Sequence, residues 1–360
     1  MSWNWQKKDW PHFTYDSQFL QQFENDFLLR SGQLFGSYTH LDEIEKKHLT
    51  IDLISAEAVK TSEIEGELLN RESVQSSVRR QFGLQAGSDK SSPAEQGIAE
   101  MMVDLFHTFD EPLSQDLLFR WHKMLMKSHP NLREVGQYRS HGDPMQVVSG
   151  YIHERKVHFE APESKTVLSE MKRFIKWYNI CKLPALAKSG IIHLYFVSIH
   201  PFEDGNGRIA RALSEKSLSE SLSQPSLIGL SQTIQKERKK YYEALEVANK
   251  KNEVTEWLVY FSKTIFKAQA LTEASIRIII SKTKFFDKFS EKLNYRQEKA
   301  LLRLFKAGPE GFKGGLNAEK YISITKTTRA TATRDLQELV AIGALTRTGE
   351  LRHTRYWLEI

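Results

Sequence analysis

The residues best equipped for chemistry lie side by side between positions 200 and 211, His-Pro-Phe-Glu-Asp-Gly-Asn-Gly-Arg-Ile-Ala-Arg. Gly205, Asn206 and Gly207 can take positive φ, so successive backbone N–H groups can point at one anion. Arg208 to Leu218 reads as a helix, which puts this loop at a helix N-terminus, where the dipole favours phosphate. Arg208 and Arg211 are three apart, share a helix face and offer two guanidinium forks to the same anion. Asp204 is a hard oxygen ligand beside the phosphates, which suits Mg²⁺. His200 follows an apolar helix, Pro201 limits its conformation, and a neutral imidazole there can take a proton from an attacking hydroxyl. His193, within the apolar run Ile191 to Ile199, reads instead as a packed core residue.

Helices must position that string. Apolar spacing up to about residue 90 is helical, through Ile44, Leu49 and Leu53 and then Val59, Ile64, Leu68 and Leu69. Breakers Gly87, Ser88, Asp89 and Pro93 predict a loop from Gly83 to Pro93. Helical patterns resume over Met101 to Phe109 and Leu117 to Met126. Gly136 to Pro162 changes character, with β-prone pieces at Val147-Val148 and Val157-His158-Phe159 that predict a small hairpin in an irregular loop. Helices then run from Val167 to Tyr178 and on to about Lys284. The final stretch predicts a helix from Arg296 to Phe305 that ends at Gly308-Pro309. A short helix follows near Asn317 to Tyr321, and a third spans Thr327 to Ile342. Strands at Ala344 to Arg347 and Leu351 to Leu358 flank a turn at Thr348 to Glu350. Three helices and a hairpin make a winged-helix module. The fold class is therefore mainly α with a small β-hairpin, and the expected domains are 1–95, 96–290 and 291–360.

The string at 200–211 resembles the signature of the Fic family, His-Pro-Phe-x-(Asp/Glu)-Gly-Asn-Gly-Arg-x-x-Arg, at every specified position. The resemblance implies a Fic-type helical core and a protein adenylyltransferase that moves AMP from ATP to a hydroxyl of a target protein or of itself. It implies that His200 deprotonates the target hydroxyl and that Asp204 holds Mg²⁺ between the α- and β-phosphates. Gly205, Asn206, Gly207 and Arg208 would cradle the phosphates, with Arg211 near the γ-phosphate. Family members that act as kinases carry a bulkier residue in the glycine-rich stretch, so Gly207 favours nucleotidyl transfer. Tyr241-Tyr242-x-x-Leu245-x-x-Ala248-Asn249 resembles the family's downstream helix, which implies that Tyr242 and Asn249 reach the adenosine. Gly136 to Arg139, the hairpin and His158 to Pro162 resemble the flap along which a target chain docks by strand addition.

Thr61-Ser62-Glu63-Ile64-Glu65-Gly66 fits the family's inhibitory pattern, (Ser/Thr)-x-x-x-Glu-(Gly/Asn). It implies that Glu65 grips Arg211 in a charge-assisted, bidentate contact and denies it to the γ-phosphate. Glu63 and Glu67 are expected to be exposed. Trp3, Trp5 and Trp10 resemble a leader of bacterial family members, expected to pack on the body.

Net charge is +6, and the stretch from Tyr295 to Ile360 holds 12 Lys/Arg against 7 Asp/Glu, or about +5. Arg329, Thr331, Thr333 and Arg334 head the third helix of this module, and Arg347, Arg352 and Arg355 fall on its wing. These suit DNA. A protein partner or a homodimer through the same module is an equal reading. The single Cys181 excludes a disulfide framework, no apolar run reaches 18 residues, and Met1 to Pro11 lacks an apolar signal core. A cytoplasmic protein with no membrane partner is the expectation. Two other functions use the same residues: AMP removal, with Glu65 orienting a water, and a nucleotide-sensing DNA-binding regulator.

Overall fold

The computed structural model describes residues 2–85, 91–129, 131–149, 156–308 and 311–359. Its elements are α1 (Ser17–Thr39), α2 (Glu43–Ile64), α3 (Arg71–Gln81), α4 (Pro93–His107), α5 (Gln115–Leu125), strands β1 (Gln146–Ser149) and β2 (Lys156–Glu160), and α6 (Ser164–Ile180). There follow α7 (Ala185–Ile199), α8 (Asn206–Leu222), α9 (Leu230–Lys236), α10 (Arg238–Ala248), α11 (Thr255–Phe289), α12 (Tyr295–Phe305), α13 (Ala318–Thr325), α14 (Arg329–Ala341), β3 (Leu345–Thr348) and β4 (Arg355–Leu358). Much of the expected loop at 83–93, together with Pro309, falls outside the described residues. None of the helices described is long and apolar enough to cross a membrane.

The chain divides into two compact units, one of residues 1–35 and 47–272 and one of residues 36–46 and 273–360. Neither compact unit begins or ends at the expected boundaries near residues 95 and 290. Ile51, Ile54, Val74 and Val78 of α2 and α3 share one apolar core with Ile98 of α4 and Ile192 of α7. The N-terminal helices also complete the others electrically. α7 begins after Pro184 with no cap of its own. Glu24 of α1 supplies one, accepting from the Leu186 and Ala187 N–H groups at 3.1 and 2.9 Å. Burial pushes the Glu24 carboxyl up in pKa, and the positive end of the α7 dipole compensates. Glu57 of α2 does the same for α9, accepting from Ser231 and Gln232 N–H.

Within the first unit α7 is the central helix. Every described residue from Ala185 to Ile199 except Lys188 is buried, as a helix apolar on all sides requires. α8 packs alongside it. Leu68 and Leu69 are not helical as their spacing predicted: α2 stops at Ile64, and the chain turns at Gly66 (φ +90°), leaving Leu68 exposed.

The second unit has α12–α14 around Leu301, Leu304, Leu336 and Leu339. Its antiparallel hairpin pairs Leu345 with Leu358 and Thr348 with Arg355. The last strand starts at Arg355, later than Leu351, because a 3₁₀ turn occupies Leu351–His353. Buried Asp335 accepts from the Arg296 guanidinium and from the Tyr321 hydroxyl.

Replacing Glu24 with Ala removes both acceptors at the start of α7 and should cost about 1–2 kcal/mol, read by denaturant unfolding. Glu24→Gln keeps one acceptor and should recover most of it; equal stability of Glu24→Ala and the parent would refute the cap.

Candidate active site

α7 ends because His200 adopts φ 51°, ψ 60° and Pro201 follows it. The loop from Pro201 to Gly205 then turns back into α8. Gly205 (φ +83°) makes that second turn, a conformation only glycine takes at little cost. Helix α8 starts at Asn206, two residues earlier than the expected Arg208, so Asn206 and Gly207 are helical and do not form a positive-φ loop. The Asn206 side chain closes the loop, accepting from Phe202 N–H at 3.0 Å and donating to the Phe202 carbonyl at 2.8 Å. His122 of α5 supports the loop from below. Its ring stacks on Phe202 at 4.1 Å and its Nδ1 accepts from Gly136 N–H at 2.8 Å.

The His200 Nδ1 lies 3.3 Å from the Val197 carbonyl. That contact places the proton on Nδ1 and leaves the Nε2 lone pair free to accept one. Burial, and then the neighbouring Arg139 cation, pull the imidazole down to about 4, so it is neutral at pH 7. His193 behaves as expected of a core residue. It is fully buried, with Nε2 at 2.8 Å from the Tyr241 hydroxyl and Nδ1 at 3.2 Å from Ser214 Oγ.

The two motif arginines do not share one partner. Arg211, 2% exposed, donates through Nε to Thr61 Oγ1 and through Nη2 to the Thr61 carbonyl and to Glu65 Oε1 at 2.7 Å. The Glu65 contact uses one oxygen and is not bidentate, because Thr61 takes the other edge of the fork. Arg208, equally buried, donates through Nη1 to Glu67 Oε2 at 2.9 Å and through Nη2 to Asp204 Oδ1 at 3.3 Å. Glu67 is thus a paired group, contrary to the expected exposure. The turn at Gly66 carries it back towards α8. Glu63 pairs with Lys60 at the surface. The approach of Glu65 is close: a Cβ on Gly207 would lie 2.1 Å from Glu65 Oε1.

Asp204 offers one half-exposed carboxylate, which also accepts from Gly205 N–H and stands 4.0 Å from His129 Nε2. Among the described residues no group of three His, Cys, Asp or Glu side chains can hold a metal alone. A single carboxylate beside a helix N-terminus fits Mg²⁺ that takes its remaining ligands from phosphates and water.

Tyr242 and Asn249 lie at different places on and after α10. The Tyr242 hydroxyl donates to the Ile64 carbonyl at 3.2 Å, at the end of α2. Asn249 is buried, its Oδ1 accepting from Ser198 Oγ at 3.3 Å. Asn4, which the sequence did not single out, completes this cluster. Its Nδ2 donates to Ser198 Oγ at 2.8 Å and its N–H to the Asn249 carbonyl at 2.7 Å.

The hairpin expected in the flap is present, with Val147 opposite Phe159 and Val148 opposite Val157. His158 is the extra residue of a bulge, which aims it out of the ladder. It reaches Glu246 of α10 at 2.7 Å and Ser149 Oγ at 2.6 Å. Val147, Val148 and Val157 remain partly exposed, whereas Phe159 is buried. The leader covers it: Trp3 packs edge-on to Phe159 at 5.4 Å, and Trp5 Nε1 donates to the Glu160 carbonyl at 2.7 Å. The tip of the hairpin, 150–155, falls outside the described residues.

At the C-terminal hairpin, Arg355 Nη1 donates to the Arg352 and Thr354 carbonyls, so its guanidinium is partly engaged within the unit.

Residues 112–218 match the Fic/DOC family, and residues 3–84 match a domain of unknown function (DUF4172). A curated relative, the protein adenylyltransferase Fic of Drosophila erecta, is 38% identical over 82 residues. That is 22% of this chain and only 16% of the relative's own length. A Fic family protein of Desulfovibrio desulfuricans has a similar fold, with a TM-score of 0.56 and 21% identity over 97% of this chain and 98% of its own. A Fic domain containing signaling protein of Bacteroides thetaiotaomicron matches at TM-score 0.53 and 20% identity, over 69% of this chain and 97% of its own.

Trp3→Ala should loosen β2 without unfolding the core, since Trp3 belongs to a small cluster of its own with Phe159 and Ala161. Amide exchange at residues 156–160 should quicken about tenfold while α7 stays protected. Unchanged exchange there would dissociate the leader from the flap.

Proposed function

This chain is a Fic domain protein, and we propose that it is a protein adenylyltransferase, transferring AMP from ATP to a hydroxyl side chain of a target protein or of itself. The observation that carries the reading is a neutral imidazole with its proton on Nδ1, separated by one tight loop from the phosphate-favouring N-terminus of α8. In this reading His200 Nε2 takes the proton of the target hydroxyl. The hydroxyl oxygen bonds to the α-phosphorus, the bond to the β-phosphate oxygen breaks, and pyrophosphate leaves. The α8 N–H groups and Arg208 bear the charge that builds on the phosphates. Mg²⁺ held by Asp204 would neutralise charge on the α- and β-phosphates. Tyr242 and Asn249 are assigned to the adenosine side, and 136–162 to docking of the target chain.

Glu65 acts as a brake. Arg211 cannot hold a γ-phosphate while its Nη2 donates to Glu65, so ATP binds with its phosphates misplaced. The C-terminal unit is read as a winged helix that chooses a partner, with DNA and protein as alternatives.

Glu65→Gly should raise AMP incorporation about ten- to a hundredfold, the equivalent of one charged hydrogen bond. Intact-mass spectrometry with ATP and Mg²⁺ reads this as added AMP units, absent from the Glu65→Gly, His200→Ala double mutant. Equal incorporation by parent and Glu65→Gly would remove the brake. Loss of AMP from a modified protein would replace transfer with AMP removal.

Glu67 occupies Arg208 as Glu65 occupies Arg211. In the Glu65→Gly background, Glu67→Gln should lower the KM for ATP about fivefold, as for a partly exposed ion pair of about 1 kcal/mol. An unchanged KM would show that Glu67 does not compete with phosphate.

A further inference from the structure

The ties that hold the His200 main chain converge on one side chain outside the motif. Arg139 is 2% exposed. Its Nε donates to the His200 carbonyl at 2.8 Å, and Nη2 donates to the Pro162 carbonyl at 2.5 Å and the Ile199 carbonyl at 3.4 Å. Nη1 donates to Ser164 Oγ at 3.1 Å, and its own backbone N–H donates to the Pro201 carbonyl at 2.9 Å. These acceptors are carbonyls and one hydroxyl, not a carboxylate. The charge is placed against the C-terminal end of α7, where the last carbonyls lack helical partners and the dipole is negative.

That placement matters because His200 is left-handed at φ 51°. A residue with a Cβ pays roughly 1–2 kcal/mol for this conformation, so something must hold it. Pro162 lies two residues beyond β2, and Ser164 begins α6. One guanidinium therefore spans the base on one side and the end of the flap on the other.

We propose that Arg139 is a positioning residue for the transfer reaction, its guanidinium fixing the His200 main chain in the left-handed turn and tying that turn to the end of the flap. Its effect on rate rests on the adenylyltransferase reading; its effect on His200 does not. The cation also disfavours an imidazolium beside it. Burial is the larger cause of the low His200 pKa and Arg139 the next, while the Val197 carbonyl, Glu65 and Asp204 act in the opposite direction. Arg139 itself faces the acid Glu134. Removing the cation makes protonation easier, so the His200 pKa rises and the neutral base is lost at a higher pH than in the parent.

The test compares Arg139→Met, which removes the charge, with Arg139→Lys, which keeps it but loses the planar fork. NMR titration of the full chain without nucleotide, with the His200 resonance assigned through His200→Ala, reads the imidazole directly. In Arg139→Met the pKa should rise from about 4 towards the ordinary 6.5, and in Arg139→Lys it should stay low. In the Glu65→Gly background both variants should lose about ten- to a hundredfold in kcat, with the KM for ATP changed less than about threefold. The acid limb of the rate profile should move to higher pH in Arg139→Met alone. A folded Arg139→Met with an unmoved His200 pKa and parental kcat would overturn the proposal. Should Arg139→Met fail to fold, parental kcat in Arg139→Lys would overturn it equally. If the Glu65→Gly parent transfers no AMP, the transferase reading fails, and the titration still decides whether Arg139 governs His200.

Discussion

Two buried helices, α7 and α8, must be joined by a loop that reverses the chain while leaving the α8 N-terminus open to an anion. Both ends of that loop are left-handed, at His200 and Gly205. The second end is glycine and costs little. The first is histidine, which has a Cβ, so its conformation must be held from outside. Most of the surrounding structure follows from that demand. Asn206 closes the loop onto Phe202, His122 stacks beneath it, and Arg139 gathers the free carbonyls at the end of α7.

The N-terminal helices form part of the same structure. Glu24 and Glu57 are carboxylates from α1 and α2 placed at the positive ends of α7 and α9. The leader joins the far side, with Asn4 bonded to Ser198 and Asn249 and with Trp3 and Trp5 against the flap. A region matched only to a domain of unknown function thus supplies Glu65 to Arg211 and packs against α7 and the β1–β2 hairpin.

The helices of the body, the hairpin and the loop between α7 and α8 were legible in the sequence, because apolar spacing and a contiguous motif are local signals. Glu65 could be paired with Arg211 only through a family pattern, although the two lie far apart in the chain. What escaped was reciprocal detail. Nothing local distinguishes Glu67, paired with Arg208, from a solvated carboxylate, because its partner depends on the turn at Gly66. Arg139 was visible only as part of a resemblance, since its partners are backbone carbonyls that carry no sequence signature. Asn4 lies among tryptophans with no pattern to single it out, and its role as a buried donor rests on partners far away in the chain. The start of α8 was misplaced by two residues because Asn206 and Gly207 are weak helix formers, and the side-chain closure onto Phe202 overrides that propensity.

The packing of Gly207 against Glu65 has a genetic corollary. No β-carbon fits at 207 while the carboxylate stays where it is. A lineage that acquires a side chain there must swing the Glu65 carboxylate off Arg211, a movement of the free end of one flexible side chain. One codon therefore decides whether a contact set far upstream can form, and the two positions are inherited as a pair.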